Sequence, residues 1–145
     1  MNTAELEADT NVSVDGQTVI QLPSGLLGFE QVKRYVLSSN PGEEPFQWFR
    51  DLANPRLAFV VVSPFDVLPS YGPDLPAEDV EYLKLESPAD ALLLNIVTLR
   101  KNGRATVNLK GPIVINRFSL IGKQVVIANA GDYSVQHPLP TESAD

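Results

Sequence analysis

Apolar and polar residues follow one another along this chain in short runs, each closed by a turn-forming residue. The longest apolar run, Ala91–Leu99 (ALLLNIVTL), is too uniform for a half-solvated strand and fits one covered on both faces. Lys101-Asn102-Gly103-Arg104 follows, and Asn-Gly between two apolar runs signals a tight hairpin because both residues tolerate positive φ. Residues 105–110 then alternate, with Ala105, Val107 and Leu109 on one side and Thr106, Asn108 and Lys110 on the other. That period of two belongs to a strand with one face buried. Gly111-Pro112 breaks the ladder, since proline has no N–H to donate. The pattern restarts over Ile113–Asn116, and Gly122-Lys123 leads into a last strand over residues 124–127. An antiparallel meander is predicted here, and with it the sheet on which the domain is built.

The first half of the chain adds four shorter strands, over residues 18–22, 33–38, 46–52 and 57–63. Between the first two lies PSGLLGFE, whose proline and two glycines specify a loop of fixed shape and whose apolar side chains point it inward. Trp48, amid the aromatics of the third strand, is read as a core residue. Residues 63–76 form a long connection rich in proline and glycine, and Pro76 opens a helix reading PAEDVEYLKLE. Val80, Leu83 and Leu85 are its expected buried stripe, and Ser87 with Asp90 has the spacing of a capping box. About eight strands and one short helix predict a mainly β fold, either a small antiparallel β-barrel-like domain or a compact sandwich. Residues 1–10 read as a disordered leader, 11–140 as a single β domain and 141–145 as a flexible tail.

Composition narrows the chemistry. There is no cysteine, which removes disulfides and thiolate metal sites, and His137 is the single histidine. No apolar run approaches the ~20 residues of a membrane span, and the start is not a signal peptide, so the expectation is a cytoplasmic protein that engages no membrane. None of the nucleophile-elbow, zinc-protease, P-loop or dinucleotide motifs occurs. Asp66 with Asp74 makes a carboxylate pair on paper, and Asp74, Glu78 and Asp79 a cation cluster, but both read better as solvated surface charge. No catalysis, metal or cofactor is expected. Asn95, Asn108 and Asn116 sit in or at the ends of apolar strands, where they read as an internal hydrogen-bond network that fixes register.

Charge changes the picture further. The net charge is −7, yet residues 1–90 carry fifteen acids against five bases, while residues 91–131 carry six bases and no acid. The six bases fall mostly in turns without interleaved aromatics, so direct nucleic-acid binding is not expected. An acidic chain is steered toward basic proteins instead. Two apolar loops supply possible anchors: Phe65 and Tyr71 beside the acidic residues Asp74, Glu78, Asp79 and Glu81, and Phe118, Leu120 and Ile121 in a turn. These nine residues are the candidate partner-binding set. A β-barrel module binding RNA or a small ligand is the alternative, and a hydrolase using surface carboxylates a more distant one.

Seven pieces of the chain, in order, resemble segments of the flagellar assembly factor FliW family. They are LPSGLLGFE (residues 22–30), FQWF (46–49), LAFVVVSPF (57–65), LLNIVTL, TVNLKGPIVIN, GKQVVI and YSVQHPL (133–139). The resemblance implies a small, mostly antiparallel β-barrel-like fold without enzymatic activity. It also implies two partners, the carbon storage regulator CsrA, a small RNA-binding translational repressor, and newly made flagellin. Exchange between them would couple flagellin translation to assembly. Two departures stand out: the turn reads RFSLI where relatives are strongly polar, and Gln136 stands where a basic residue commonly precedes His-Pro.

Overall fold

A computed structural model describes residues 18–139 of the chain. The expected leader and tail lie outside the described residues. Nine strands follow in chain order: β1 (Thr18–Gln21), β2 (Arg34–Ser38), β3 (Gln47–Asp51), β4 (Ala58–Val62), β5 (Ala91–Leu99), β6 (Ala105–Val107), β7 (Ile113–Asn116), β8 (Gly122–Gln124) and β9 (His137–Pro138). Two short helices, α1 (Pro64–Val67) and α2 (Ala77–Tyr82), lie between β4 and β5. The mainly β expectation holds, with one more helix than the single one predicted. Pro64 supplies the fixed φ of a first helical turn, so the connection after β4 coils at once instead of running on as a loop.

Every ladder is antiparallel: β1 through β6 pair in succession, and β9 adds to β6. β5 is long enough to hold two partners along one edge. Its end at Leu99 pairs with β6, Thr98 facing Thr106, and its start pairs with β7, Ala91 facing Asn116. β8 extends the sheet beyond β7. The far edge of β1 meets the start of β8 at one point only, a parallel bridge from Gln21 to Ile121 with Gln21 N–H donating to Leu120 O at 2.9 Å. The sheet therefore curls toward itself without closing into a barrel, and the compact-sandwich alternative is the one realised.

The curled sheet encloses Ile20, Leu22, Tyr35, Phe49, Val61, Leu94, Ile113 and Ile115. Phe49 stacks on Tyr35 at 4.4 Å between ring centres. Period two then puts Trp48 on the opposite face of β3, which corrects its reading as core: it is half-buried, donates to Glu43 Oε1 at 3.0 Å and lies under Arg50. On the outer face of β5 and β7, a second cluster gathers Val67, Tyr71, Val107, Leu109 and Ile127, and a third gathers Leu83, Val114 and Val125. β5 is thus covered on both faces over most of its length, but Leu99 at its end is 76% exposed.

Two strands differ from prediction. β6 stops at Val107 because the Asn108 carboxamide turns back on the chain, its Oδ1 accepting from the Lys110 and Gly111 N–H groups at 3.0 and 3.1 Å. The last ladder forms over Gly122–Gln124 rather than residues 124–127, because its partner β7 begins only at Ile113, after Pro112, which has no N–H to donate. Alternation survives beyond it, with Val125 and Ile127 buried and Val126 exposed.

Candidate functional site

Helix α2 and the turn after it form the side of the molecule where acidic residues and apolar surface meet. The helix starts behind Pro76, which fixes φ, and carries Glu78 and Asp79 in its first turn, where the dipole favours negative charge. It ends in a paired motif: Lys84 N–H donates to Glu81 O at 3.1 Å and Leu85 N–H to Val80 O at 3.0 Å. Lys84 takes φ 57° there, the position where glycine is usual. The motif also brings Leu85 against Val80, and both line a hollow of about 330 Å³ with Leu75, Pro88 and Ala91, Glu86 standing at its rim.

Two polar contacts fasten this helix to the sheet. Asp79 is only 5% exposed and pairs with Lys123 of β8, Nζ to Oδ1 being 2.5 Å. The hydrogen bond to Asp79 raises the Lys123 pKa above its ordinary value. Asn116, at the end of β7, donates from Nδ2 to Leu83 O at 2.9 Å. Its Oδ1 accepts from Phe118 N–H at 2.8 Å and Ser119 N–H at 3.2 Å, so one amide holds both the helix end and the β7–β8 turn. Asn95 donates to Asn108 O at 2.7 Å. The asparagines are structural ties, as their placement in apolar strands predicts.

The nine sequence-predicted residues separate into three groups. Asp74, Glu78 and Glu81 are exposed around α2. Asp79 differs from its neighbours because the helical period turns it inward, and its charge is already taken up by Lys123. Phe65 is 46% exposed and meets Tyr71 edge-on at 6.0 Å, while Tyr71 itself is 4% exposed. Its hydroxyl donates to Leu109 O at 2.7 Å, and burial pushes its pKa up to about 12, so Tyr71 is a core residue with Phe65 as its outer cover. In the apolar turn, Phe118 alone projects, at 67% exposure. Leu120 packs on the core behind β1, and Ile121 is half-buried.

Tyr71, with Phe65 against its ring, packs in the cluster of Val62, Val97 and Val107, whereas Phe118 follows Asn116, the partner of Ala91 at the start of β5, so the two loops do not form one anchor. The hollow beside α2 brings Leu75, Val80 and Leu85 together instead. Leu75 carries little signal in sequence, lying between prolines at the end of a loop. Tyr82, exposed and 5.5 Å from Lys123 Nζ, was also outside the predicted set, although its place in the helical period would have marked it as outward. Among the described residues no group of His, Cys, Asp or Glu is arranged to hold a metal ion, and no helix is long and apolar enough to cross a membrane.

Comparison with known proteins gives the lineage. The model of the FliW protein family matches residues 3–139. A flagellar assembly factor FliW of Clostridium botulinum (strain Langeland) is 37% identical over 135 residues, covering 92% of this chain and 94% of the relative. One from Clostridioides difficile is 39% identical over 121 residues, covering 83% and 92%. A crystal structure of the flagellar assembly factor FliW superposes with a TM-score of 0.76 at 29% identity, covering 90% of this chain and 98% of that one. The family match over nearly the whole chain, with the shared fold beneath it, makes this chain a member of the FliW family of flagellar assembly factors.

Proposed function

We propose that this protein is a cytoplasmic, non-catalytic partner-switching factor. It binds a CsrA-type RNA-binding regulator and newly made flagellin, and their exchange couples flagellin translation to assembly. The observation that carries the reading is the apolar hollow of about 330 Å³ beside α2, with Glu86 at its rim and Glu78 and Glu81 exposed on the helix. Apolar floors retain a ligand and charged rims steer it, so the arrangement suits a basic, amphipathic segment such as a nucleic-acid-binding regulator presents. Phe118, held beside the helix end by Asn116, extends the apolar surface on that side. Asp79 has no part in the rim, because it is buried and paired.

Flagellin, in this reading, lays an amphipathic helix over the same surface and displaces the regulator. The test is a titration of flagellin into a preformed complex of this protein with the regulator, followed by regulator release. Release that saturates with flagellin supports the switch, and full retention at excess flagellin refutes it. Reversing Glu78 and Glu81 to lysine should slow regulator association and flatten its salt dependence, and an unchanged on-rate removes the steering argument.

A further inference from the structure

The opposite end of β5 carries the opposite charge. There the β5–β6 hairpin and the segment before β9 surround an open hollow of about 470 Å³. Arg100, Lys101 and Arg104 stand around it, with Ala105, Gln136 and Pro138 completing the wall. No carboxylate among the described residues pairs with any of the three bases. Among the described residues the one ion pair is that of Asp79 with Lys123 at α2, so these cations remain available to a ligand.

The hairpin backbone and the Arg100 side chain are also held in place before any ligand arrives. Arg100 N–H donates to Arg104 O at 2.6 Å, Gly103 N–H to Arg100 O at 3.0 Å, and Arg104 N–H to Asn102 Oδ1 at 3.0 Å, which closes the turn. Arg100 Nε donates to Thr106 Oγ1 at 3.0 Å, which orients the guanidinium and leaves its terminal nitrogens for another acceptor. An arginine fixed in this way loses less freedom on binding and suits the planar fork of a carboxylate. Leu99 next to Arg100 is 76% exposed, and Val135 next to Gln136 is exposed as well, so apolar contacts adjoin the cations. No aromatic ring lines the hollow on which a base could stack, which argues for a peptide over RNA.

We infer that this basic hollow docks an acidic peptide segment of a partner protein, separately from whatever occupies the acid-rimmed hollow beside α2. β5 holds the two hollows apart by roughly 25–30 Å at ~3.3 Å per residue, far enough for both to be filled at once. The inference does not depend on the identity of the partner at α2.

The test is fluorescence anisotropy with a short fluorescein-labelled peptide of Glu-Glu-Leu repeats, titrated with the full chain. Binding should appear at low salt and weaken by about tenfold between roughly 50 and 200 mM. R100Q/K101Q/R104Q should weaken it by about tenfold or more, and E78Q/E81Q should leave it unchanged or tighten it. Should the triple variant lose its far-UV circular dichroism, K101Q alone, at an exposed side chain, should still cost roughly threefold. Absence of binding at low salt, equal affinity for the charge-neutralised hairpin, or tighter binding of an oligouridine through the same three bases would each overturn the inference.

Discussion

Replacing Asn116 by alanine tests whether one side chain joins helix α2 to the β7–β8 turn. The carboxamide is nearly buried and makes three close bonds: to Leu83 O at 2.9 Å, from Phe118 N–H at 2.8 Å and from Ser119 N–H at 3.2 Å. Phe118 and Ser119 are exposed, so water replaces the lost acceptor there and each bond is worth about 0.5 kcal/mol net. Leu83 is buried at the helix end, and its carbonyl loses its side-chain donor outright, a further ~1–2 kcal/mol. The expected loss is roughly 2–3 kcal/mol from a total of about 5–15. In urea, with a slope of ~2 kcal/mol/M, the midpoint should fall by roughly 1–1.5 M. Amide exchange should accelerate at Leu83, Lys84 and Leu85 together with Phe118 and Ser119, and stay unchanged in β2 and β3. A loss below ~0.5 kcal/mol, or exchange that speeds up on only one side of the tie, refutes the reasoning.

Gly25 sits at φ +70°, and a Cβ there would come within 2.6 Å of Glu30 Cα and 2.7 Å of the Phe29 and Glu30 carbonyl oxygens, all backbone. Gly25→Ala should therefore destabilise by roughly 2–4 kcal/mol in urea denaturation, and a neutral result would mean the loop can reopen at no cost. Lys84→Gly relieves the left-handed conformation at the end of α2 and should stabilise by about 0.5–1 kcal/mol, whereas any loss shows that the lysine side chain matters more than its φ. Glu30, Glu43 and Asp90 are held below their ordinary values, first by bonds from Gly28 N–H, Trp48 Nε1 and Glu86 N–H respectively. Their depressed folded-state values give stability that is present above the unfolded carboxylate range, near pH 4–4.5, and lost as pH falls through the folded values. Burial raises Tyr35 and Tyr71 from 10.0 to about 12, so their contribution is complete below about pH 10 and lost as pH rises toward 12. Denaturation midpoints across pH should fall at both ends, and a midpoint that held steady from pH 8 to 11.5 would contradict the alkaline half.

Strand identity was legible because backbone alternation leaves a direct trace in residue type. Ala91–Leu99 and Ile113–Asn116 coincide with their predicted spans, and the Asn102-Gly103 turn lies where its chemistry requires. What failed to show is anything set by a partner distant in sequence. The span of β8 follows from its pairing with β7, Ile113 facing Gln124 and Ile115 facing Gly122, which the apolar run over residues 124–127 does not reveal. Asp79 looks like its neighbours Glu78 and Glu81 in sequence, and only the approach of Lys123, 44 residues later, makes it a buried ion. Tyr71 carries the same difficulty in reverse. An aromatic in a proline-rich loop resembles a docking anchor until Leu109 O appears as its hydrogen-bond acceptor.

The burial of Asp79 alters how charge and retention divide around α2. With that carboxylate neutralised by Lys123, the negative field on this side comes from Asp74, Glu78, Glu81 and Glu86, all exposed. Exposed charges are screened over about 8 Å at physiological salt, so they govern encounter more than residence. In the proposed reading, residence depends on the hollow of Leu75, Val80, Leu85 and Ala91, whose shape depends on where the helix lies. Asp79 and Asn116 fix that position from opposite ends of the helix, one to β8 and one to β7. A partner's on-rate should then follow the surface glutamates and the salt concentration, and its off-rate should follow the two buried ties. Asn116→Ala, which changes no charge, should speed dissociation while leaving the salt dependence of association intact. If it instead slows association at constant off-rate, the hollow is not what retains the partner.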